Sequence, residues 1–339
     1  MNFFTVQASV FFLAVIAPAF QDIIPNDFPY KGTLSEFTIM DNVVSKRNII
    51  NIRRVQNILQ RRDASCDYIY KKVFGADTRF ITTDEVYGAT KFCRNEFYQG
   101  DLKDWRANDP LFGDKILPFF QGAVATDVAS NSYFGDIERV ASPTAQWSTN
   151  VFDGIFKKFE KYITAGVIPA AQTIAIANGT DYNANPTAAY NLLKSMYDKM
   201  PVMMASFEDT QLAFYVSKEV KSGYEDYLSS IQQTAGNTTI LENGQSTVTF
   251  KGIPILVEPI WTPIITELKG AVGYAAVLTV RGNFVFATDK DYGEGEDGKT
   301  ALEVWYERKE SQWYYRLFLK AGTEIALPEY SIVAMSDWD

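Results

Sequence analysis

The sequence of 339 residues contains no histidine. This absence excludes serine–histidine and cysteine–histidine nucleophile pairs and the usual zinc ligand sets. Only two cysteines are present, Cys66 and Cys93, too few for a disulfide framework or a cysteine metal cage. Two free thiols in a reducing compartment are the simpler interpretation, and a single Cys66–Cys93 bridge is the alternative. Chemistry based on carboxylates, lysine or tyrosine stays open.

Positive charge is also scarce, with 32 Lys and Arg against 41 Asp and Glu and a formal net charge of −9. Proteins that grip nucleic acid usually carry a basic balance, so a nucleic-acid reader is not expected. The hydrophobic share of 47% is that of a folded protein rather than a disordered one. The aromatic share of 14% is high and favours protein–protein contacts, because such side chains bury a large area.

The first positive residue is Lys31, so the apolar stretch 1–21 has no charged start. It ends in Ala17-Pro18-Ala19, which resembles a signal-peptide cleavage site, but a signal peptide begins with a positive region. The stretch is also short for a membrane span and is interrupted by polar residues. We interpret it as an apolar arm covered by a neighbouring subunit, since an exposed one would promote aggregation.

The first hundred residues combine extended and helical patterns. Residues 22–42 look extended. In 43–62, apolar residues at helical spacing predict a short amphipathic helix with a basic face. That face is either solvated or in contact with an acidic neighbour or packaged nucleic acid. In 67–92, Gly75-Ala76-Asp77 predicts the turn of a β-hairpin. The apolar positions of the predicted helix are Ile52, Val55, Ile58 and Leu59.

Helices are predicted in the middle of the chain. Asp109-Pro110 is a good helix start, and the apolar pattern continues to about Tyr133, with Pro118 expected to kink or divide the helix and Gly135 to stop it. Further helices are predicted at 152–163, from Asn185-Pro186, and at about 209–232. From Thr247 onward β-rich runs follow one another, so the order of elements indicates an α+β chain. These runs are 247–257, 274–288, 301–307, 312–319 and 323–335.

One stretch, Gly293 to Thr300, matches the phosphate-loop pattern G-x-x-x-x-G-K-[ST]. That loop needs backbone N–H groups aimed at phosphate and a helix after it. Here three carboxylates would repel the anion, the following ALEVWYER reads as a strand, and 39 residues are too few for the rest of a nucleotide-hydrolysing core. We interpret the stretch as a turn between strands.

The same region carries an acidic run from Asp289 to Asp297, but Gly293 stands where a calcium loop needs a ligand. A solvated acidic hairpin tip fits better. No catalytic, cofactor-binding or metal-binding residue is therefore predicted, and no cofactor.

From Asp109 to the C-terminus, the order of segments resembles the major capsid proteins of tailed double-stranded-DNA bacteriophages, of the Hong Kong 97 type. Each segment is weakly specific alone, and their order and spacing together carry the resemblance over about two thirds of the chain. The segments are the helix from Asp109 with its exit Phe134-Gly135-Asp136, then Phe152–Ile155, Asn185–Met200, Phe250–Ile255, Ala276–Thr279, and the strands with Trp305, Tyr314-Tyr315-Arg316 and Phe318.

The resemblance implies an α+β tailed-phage capsid fold with an arm, an extended loop, a spine helix, and peripheral and axial domains. The implied boundaries are an N-terminal arm at 1–36, an extended loop region at 37–92, a peripheral domain at 93–165 and 268–339 with the spine helix at about 109–133, and an axial domain at 166–267.

The implied function is that of a non-enzymatic subunit that self-assembles into an icosahedral head enclosing DNA. Its partners would be copies of itself as hexamers and pentamers, portal, scaffolding and decoration proteins, and packaged DNA contacted only non-specifically, with no membrane. Its place would be the virion, after assembly in the host bacterial cytoplasm. Two alternatives stay open, a secreted or surface-layer protein with a cleaved signal peptide and a carboxylate-based hydrolase with two facing carboxylates in a deep pocket.

Overall fold

The computed structural model describes residues 34, 36–54, 59, 71–72, 74–93, 110–140, 142, 144–177, 179–231, 238–240, 246–270, 272–289 and 302–336. The helices in this part are α1 (Pro110–Phe134), α2 (Ile155–Thr164), α3 (Pro186–Asp198), α4 (Lys218–Ser230) and α5 (Trp261–Lys269), with 3-10 turns at Ala170–Gln172, Met204–Ser206, Asp209–Gln211 and Pro328–Tyr330. The strands are β1 (Phe37–Met40), β2 (Lys46–Arg54), β3 (Phe74–Thr82), β4 (Asp84–Cys93), β5 (Thr173–Ile176), β6 (Leu212–Val216), β7 (Thr238–Ile240), β8 (Ser246–Phe250), β9 (Ile253–Val257), β10 (Ala275–Val280), β11 (Phe284–Thr288), β12 (Leu302–Glu307), β13 (Gln312–Ile325) and β14 (Ser331–Ser336).

A seven-stranded mixed sheet runs in the order β5-β14-β10-β6-β9-β8-β7. Its central strands are apolar throughout, because both faces of the sheet are buried. Tyr215 and Val277 belong to a core shared with α1, α2 and α5. Phe214 and Leu278, on the opposite face, pack with α3 and α4.

A five-stranded sheet is built around the long strand β13. One edge of β13 pairs with β11 and then β12, its other edge pairs with β4, and β1 lies outside β11. The inner face packs on α1, where Phe120 meets Tyr315 with ring centroids 5.7 Å apart. The sheet and the helix therefore form one two-layer unit.

The strands β2 and β3 pair with each other over nine residues and form a separate sheet, which we call the ribbon. This finding corrects the predicted amphipathic helix at 43–62, whose first half is strand. The prediction relied on the helical spacing of Ile52, Val55, Ile58 and Leu59, but the β-branched isoleucines at 49, 50 and 52 favour a strand once a partner is present. Ile49 packs against a small core at the base of the ribbon. The second half of that prediction lies largely outside the described residues.

Two further predictions were wrong in detail. Gly75-Ala76-Asp77 lies inside β3, so the predicted turn is wrong. The Thr83 N–H donates to Ser45 O at 3.0 Å and continues the β2–β3 pairing by one residue pair. The connection between β2 and β3 lies largely outside the described residues. Residues 212–216, predicted as helix, form the buried strand β6, and only 218–230 are α-helical. A short apolar run such as LAFYV does not distinguish a buried strand from a buried helix by its periodicity.

The remaining helix and strand predictions are confirmed to within a few residues. α1 is one helix across Pro118 and ends directly before Gly135, so the proline does not divide it; a proline removes one hydrogen bond and need not end a helix. α3 begins at Pro186 as predicted, and α2 begins at Ile155, three residues after the predicted start. The C-terminal β-rich runs are strands, with 312–325 forming one strand instead of two.

Within the described residues, none of the helices combines the length and the apolar character that a membrane crossing requires.

Candidate subunit-contact surfaces

The ribbon has two unlike faces, because its register places alternate residues on opposite sides. On the inner face Ile81 is fully buried against Val285 and Ala287. The outer face carries Ile50, Phe80 and Phe74, which expose 60%, 47% and 59% of their surface. Lys46 covers part of Phe80, with Nζ 3.8 Å from the ring centroid. The outer face is therefore apolar, with a basic residue at its edge.

Polar contacts hold the inner face of the ribbon to the rest of the chain. The Asn51 side-chain amide donates to Ala326 O at 2.6 Å, and Arg79 pairs with Glu329 at 2.9 Å. The Arg79 guanidinium also lies 5.2 Å from the Tyr162 ring. The ribbon is thus fixed by residues some 250 positions later in the chain.

Behind Arg79, Tyr162 donates to Glu324 Oε1 at 2.7 Å, and Lys158 approaches the other oxygen of Glu324 at 3.4 Å. Burial, followed by the Glu324 charge, raises the pKa of the Tyr162 hydroxyl well above its usual value. The hydroxyl is therefore a permanent donor at neutral pH. This chain of contacts links α2 and β13 to the base of the ribbon.

The exit of α1 is a tightly hydrogen-bonded node. A Cβ on Gly135 would overlap the carbonyl oxygen of Phe152, and a Cβ on Gly154 would lie 2.6 Å from Gly135 N. Asn131 is buried between them; its amide donates to Asp127 O at 2.9 Å, and its Oδ1 accepts from Val151 N at 3.0 Å. Gly135, predicted as the helix stop, and Gly154, within the segment Phe152–Ile155, are required because two backbone segments touch.

The outward face of β12, β13 and β4 carries a stack of aromatic and arginine side chains. Trp305 and Tyr314 stack with ring centroids 5.1 Å apart, and the Arg316 guanidinium lies 5.3 Å from both the Trp305 and Phe318 rings. Arg316 Nε donates to Glu303 at 2.9 Å. Tyr87, opposite Phe318 in the register, is 73% exposed. Trp, Tyr and Arg are the residues most enriched in protein–protein contacts.

Two carboxylates, Glu36 and Glu258, lie close to each other where the chain enters β1. The Tyr133 hydroxyl hydrogen-bonds Glu258, and the Tyr215 hydroxyl donates to Glu36 Oε2 at 3.3 Å. Burial raises the pKa of Glu258 to about 8; the Glu36 charge adds to this shift and the Tyr133 hydrogen bond opposes it. The side chain of Glu258 is buried and engaged by protein groups, unlike the open pocket that a hydrolase requires.

Most of the phosphate-loop stretch, Gly293 to Thr300, and of the acidic run lies outside the described residues. The stretch connects two strands, β11 and β12, as predicted, and the conformation of the predicted turn lies outside the described residues. Both strands run antiparallel to the same edge of β13 and do not pair with each other, so they do not form the hairpin that was expected. After Thr300 the chain enters the strand β12 and not a helix. A phosphate loop is therefore excluded by its context. Cys66 is also outside the described part, and Cys93 forms no disulfide with any described residue.

Comparison with solved structures identifies the architecture. The chain is similar to a subunit of the satellite phage P4 procapsid that includes the size determination (Sid) protein, with 11% identity, 90% of this chain and 86% of the other covered, and a TM-score of 0.57. It is also similar to the holo-SrpI encapsulin complex of Synechococcus elongatus PCC 7942, with 14% identity, 89% and 85% covered, and a TM-score of 0.50. The chain has a Hong Kong 97-type capsid fold. No family model and no curated protein matches it in sequence.

α1 covers the residues predicted for the spine helix, and the ribbon falls within the residues predicted for the extended loop. Sequence reasoning placed this long helix correctly, and its role as a spine stays a prediction. It missed the ribbon's bare outer face and the Arg79 contacts, because neither pairing register nor contacts between distant residues can be derived from local patterns.

Proposed function

We propose that this chain is the structural subunit of a closed icosahedral shell, a phage head that encloses double-stranded DNA, and that it is not an enzyme. The observation that carries the proposal is the capsid fold, shared over nine tenths of the chain with a phage procapsid subunit. Fold alone is an argument by analogy, so surface features must support it.

The ribbon supplies that support. A two-stranded ribbon buries apolar residues on one face only, and its outer face with Ile50, Phe74 and Phe80 leaves apolar surface in water. Such surface marks an interaction site. A sister copy is the natural occupant in a lattice, where many modest contacts add up to a stable assembly.

We extend the proposal to the domain boundaries, with one refinement. The arm is 1–36, the extended loop region 37–92, the peripheral domain 93–165 and 268–339, and the axial domain 166–267. Two strands of the last segment, β10 and β14, hydrogen-bond to β6 and β5 in the seven-stranded sheet. We therefore assign them to the axial domain.

The partners in this proposal are hexamers and pentamers of the chain, with portal, scaffolding and decoration proteins at specialised positions. Assembly takes place in the host bacterial cytoplasm, and the mature location is the virion. The net charge of −9 suits an inner wall that does not adhere to the packed genome. DNA contacts are then weak and independent of sequence.

Electron microscopy of the protein expressed in bacteria tests the proposal. Hollow particles of uniform diameter built from rings of five and six are the expected result, with scaffolding protein of the same source added where the chain needs it. A stable monomer or dimer under both conditions would contradict the proposal. Mass spectrometry of the native chain tests the secreted alternative, which requires the loss of about twenty residues.

The content of native particles then separates a phage head from a compartment of the encapsulin kind, whose subunit has a similar fold. Packaged double-stranded DNA supports a phage head, and an enclosed protein contradicts it. A further check is binding of isolated subunits to duplex DNA at physiological salt. Tight binding there would contradict the proposed inert wall.

A further inference from the structure

Strand β4 has a long, regular edge that no described strand covers. All ten of its residues pair with β13, and within the described ranges its opposite edge has no neighbouring strand. Strands average five to six residues, and a longer open edge is a template for pairing with another chain. We infer that the open edges of β4 in two copies pair antiparallel about a two-fold axis at Gly88. This inference rests on the proposed function, because it names one contact of the shell.

The symmetry of such a contact restricts its register. When a two-fold axis perpendicular to the sheet relates the two strands, each residue lies opposite a residue of its own face, because side chains alternate between faces. The axis must therefore pass between one residue of β4 and the same residue of the other copy. A strand that spans residues 84–93 keeps nine residue pairs only when that residue is 88 or 89. The charges on the exposed face distinguish these two registers.

Glu85 and Lys91 are both exposed on the outward face of β4, three residues on either side of Gly88. In the register centred on Gly88, Glu85 of each copy lies opposite Lys91 of the other, which gives two ion pairs between the strands. In the register centred one residue further on, Lys91 lies opposite Tyr87 instead. Opposite charges that face each other directly across an antiparallel pair are favourable. The charge pattern therefore selects the register centred on Gly88.

The other residues of β4 suit the same register. Tyr87, which is 73% exposed, lies opposite Ala89 of the other copy, and this small side chain leaves room for the tyrosine ring. Gly88 lies opposite its own copy on the side toward α1, where a Cβ would be 3.7 Å from Val124. No side chain is therefore crowded against its own copy at the axis.

Proteins often protect an open strand edge with a proline, a bulge or a lysine. β4 contains no proline, and its pairing with β13 is unbroken. Its outward lysine, Lys91, disfavours many other strands, but Glu85 of a second copy offsets this charge in the register centred on Gly88. The edge is therefore better suited to a second copy of itself than to an unrelated strand. An icosahedral shell contains two-fold axes at which such a contact can form.

Disulfide linking of single-cysteine variants tests the register. All chains carry Cys66→Ser and Cys93→Ser; one set adds Tyr87→Cys and the other adds Ala89→Cys, both on the exposed face. Under assembly conditions with mild oxidation, a mixture of the two sets should give a disulfide-linked dimer on a non-reducing gel. Either set alone should give none, because identical positions are then diagonal to each other and too far apart to bridge.

The matched control is a mixture of Tyr87→Cys with Asp226→Cys, exposed on α4, which should give no dimer. A dimer from either set alone would overturn the register centred on Gly88. Particles that assemble without any linked dimer would overturn the pairing of β4 and leave the proposed function standing. A linked dimer from chains that never form particles would support the pairing and contradict the proposed function.

Charge reversal provides a second measurement. Glu85→Lys in both sets turns the two ion pairs into two like-charge pairs and should lower the initial rate of linking about tenfold. Adding Lys91→Glu to the same chains restores both ion pairs with their signs exchanged, so the rate should return close to its original value. A charge-swapped variant that links as slowly as Glu85→Lys alone would overturn the register, because the loss would not then come from a charge facing residue 91.

Discussion

The exit of α1 and the ribbon are held in opposite ways. At the exit, Gly135 and Gly154 allow backbone to touch backbone, and Asn131 satisfies its amide within the same chain. The ribbon is anchored by a few polar contacts on one face and leaves Ile50, Phe74 and Phe80 exposed on the other. The contacts at the exit of α1 are satisfied within one chain. The outer face of the ribbon leaves apolar surface uncovered, which a second copy would bury in the proposed assembly. We call the chain outside the ribbon the body.

The largest effect is expected at the exit. Gly135→Ala should lower the free energy of unfolding of the subunit by about 4 kcal/mol or more, because a Cβ there overlaps backbone that has no room to move. Urea unfolding followed by circular dichroism measures it. Gly88→Ala is the control, since its Cβ would make an ordinary contact with Val124, and it should change stability by under about 1 kcal/mol. Equal effects of the two substitutions would refute the backbone contact at the exit.

The next effect is the pH dependence of the free energy of unfolding, which we expect from Glu258, a residue outside the ribbon. The folded state raises the pKa of Glu258 from an ordinary 4.5 to about 8, so it binds a proton that the unfolded chain has lost in this window. The contribution of Glu258 to stability is complete below pH 4.5 and is lost as pH rises to about 8, at about 1.4 kcal/mol per pKa unit.

Glu258→Gln should remove this loss, because glutamine has a similar shape and no charge. Urea unfolding between pH 5 and 9 should therefore show a flatter dependence in the variant than in the wild-type chain, and a higher stability at pH 8. Glu225→Gln, on the surface of α4, serves as the control with the wild-type slope. A wild-type slope in Glu258→Gln would mean that the buried carboxyl does not take up the proton.

The sequence predicted the body better than the ribbon, for a physical reason. Local signals predict these helices: Asp109-Pro110 and Gly135 mark the start and end of α1, Asn185-Pro186 marks the start of α3, and periodic apolar residues mark α2. All of these signals act within a few positions. The ribbon depends on pairing β2 with β3, and a run with isoleucines at 49, 50 and 52 suits both a helix and a strand. Contacts such as Arg79 with Glu329 join residues 250 positions apart and leave no local signal.

The same limit applies to the contact surfaces. The sequence indicated an excess of aromatic residues, but only the register shows that Trp305, Tyr314 and Phe318 share one outward face with Arg316. The glycines at 135 and 154 were visible as a pattern. The pattern did not reveal that they are needed because the segments 134–135 and 152–154 touch.

A smaller effect is expected where the ribbon is anchored. Arg79→Met should cost about 1 kcal/mol, because the ion pair with Glu329 is partly exposed and solvent weakens it. Hydrogen exchange should accelerate in 46–54 and 74–82 and stay unchanged in β10. A double-mutant cycle with Glu329→Gln isolates the pair. If hydrogen exchange also accelerates in β10, the ribbon unfolds together with the rest of the chain. The ribbon would then not be a separately anchored region.

The smallest effect on the subunit is the most informative about function. Ile50→Thr combined with Phe80→Thr places β-branched residues at both positions and removes side chains that expose 60% and 47% of their surface, so the stability of the lone subunit should change by under about 1 kcal/mol. Particle formation, followed by sedimentation and electron microscopy, should nevertheless fall sharply. The matched control is Ile81→Thr on the inner face, which is fully buried and should destabilise the subunit itself. If the outer-face variant assembles like the wild-type chain, the bare face of the ribbon is not a contact between copies, and its exposed apolar residues need another partner.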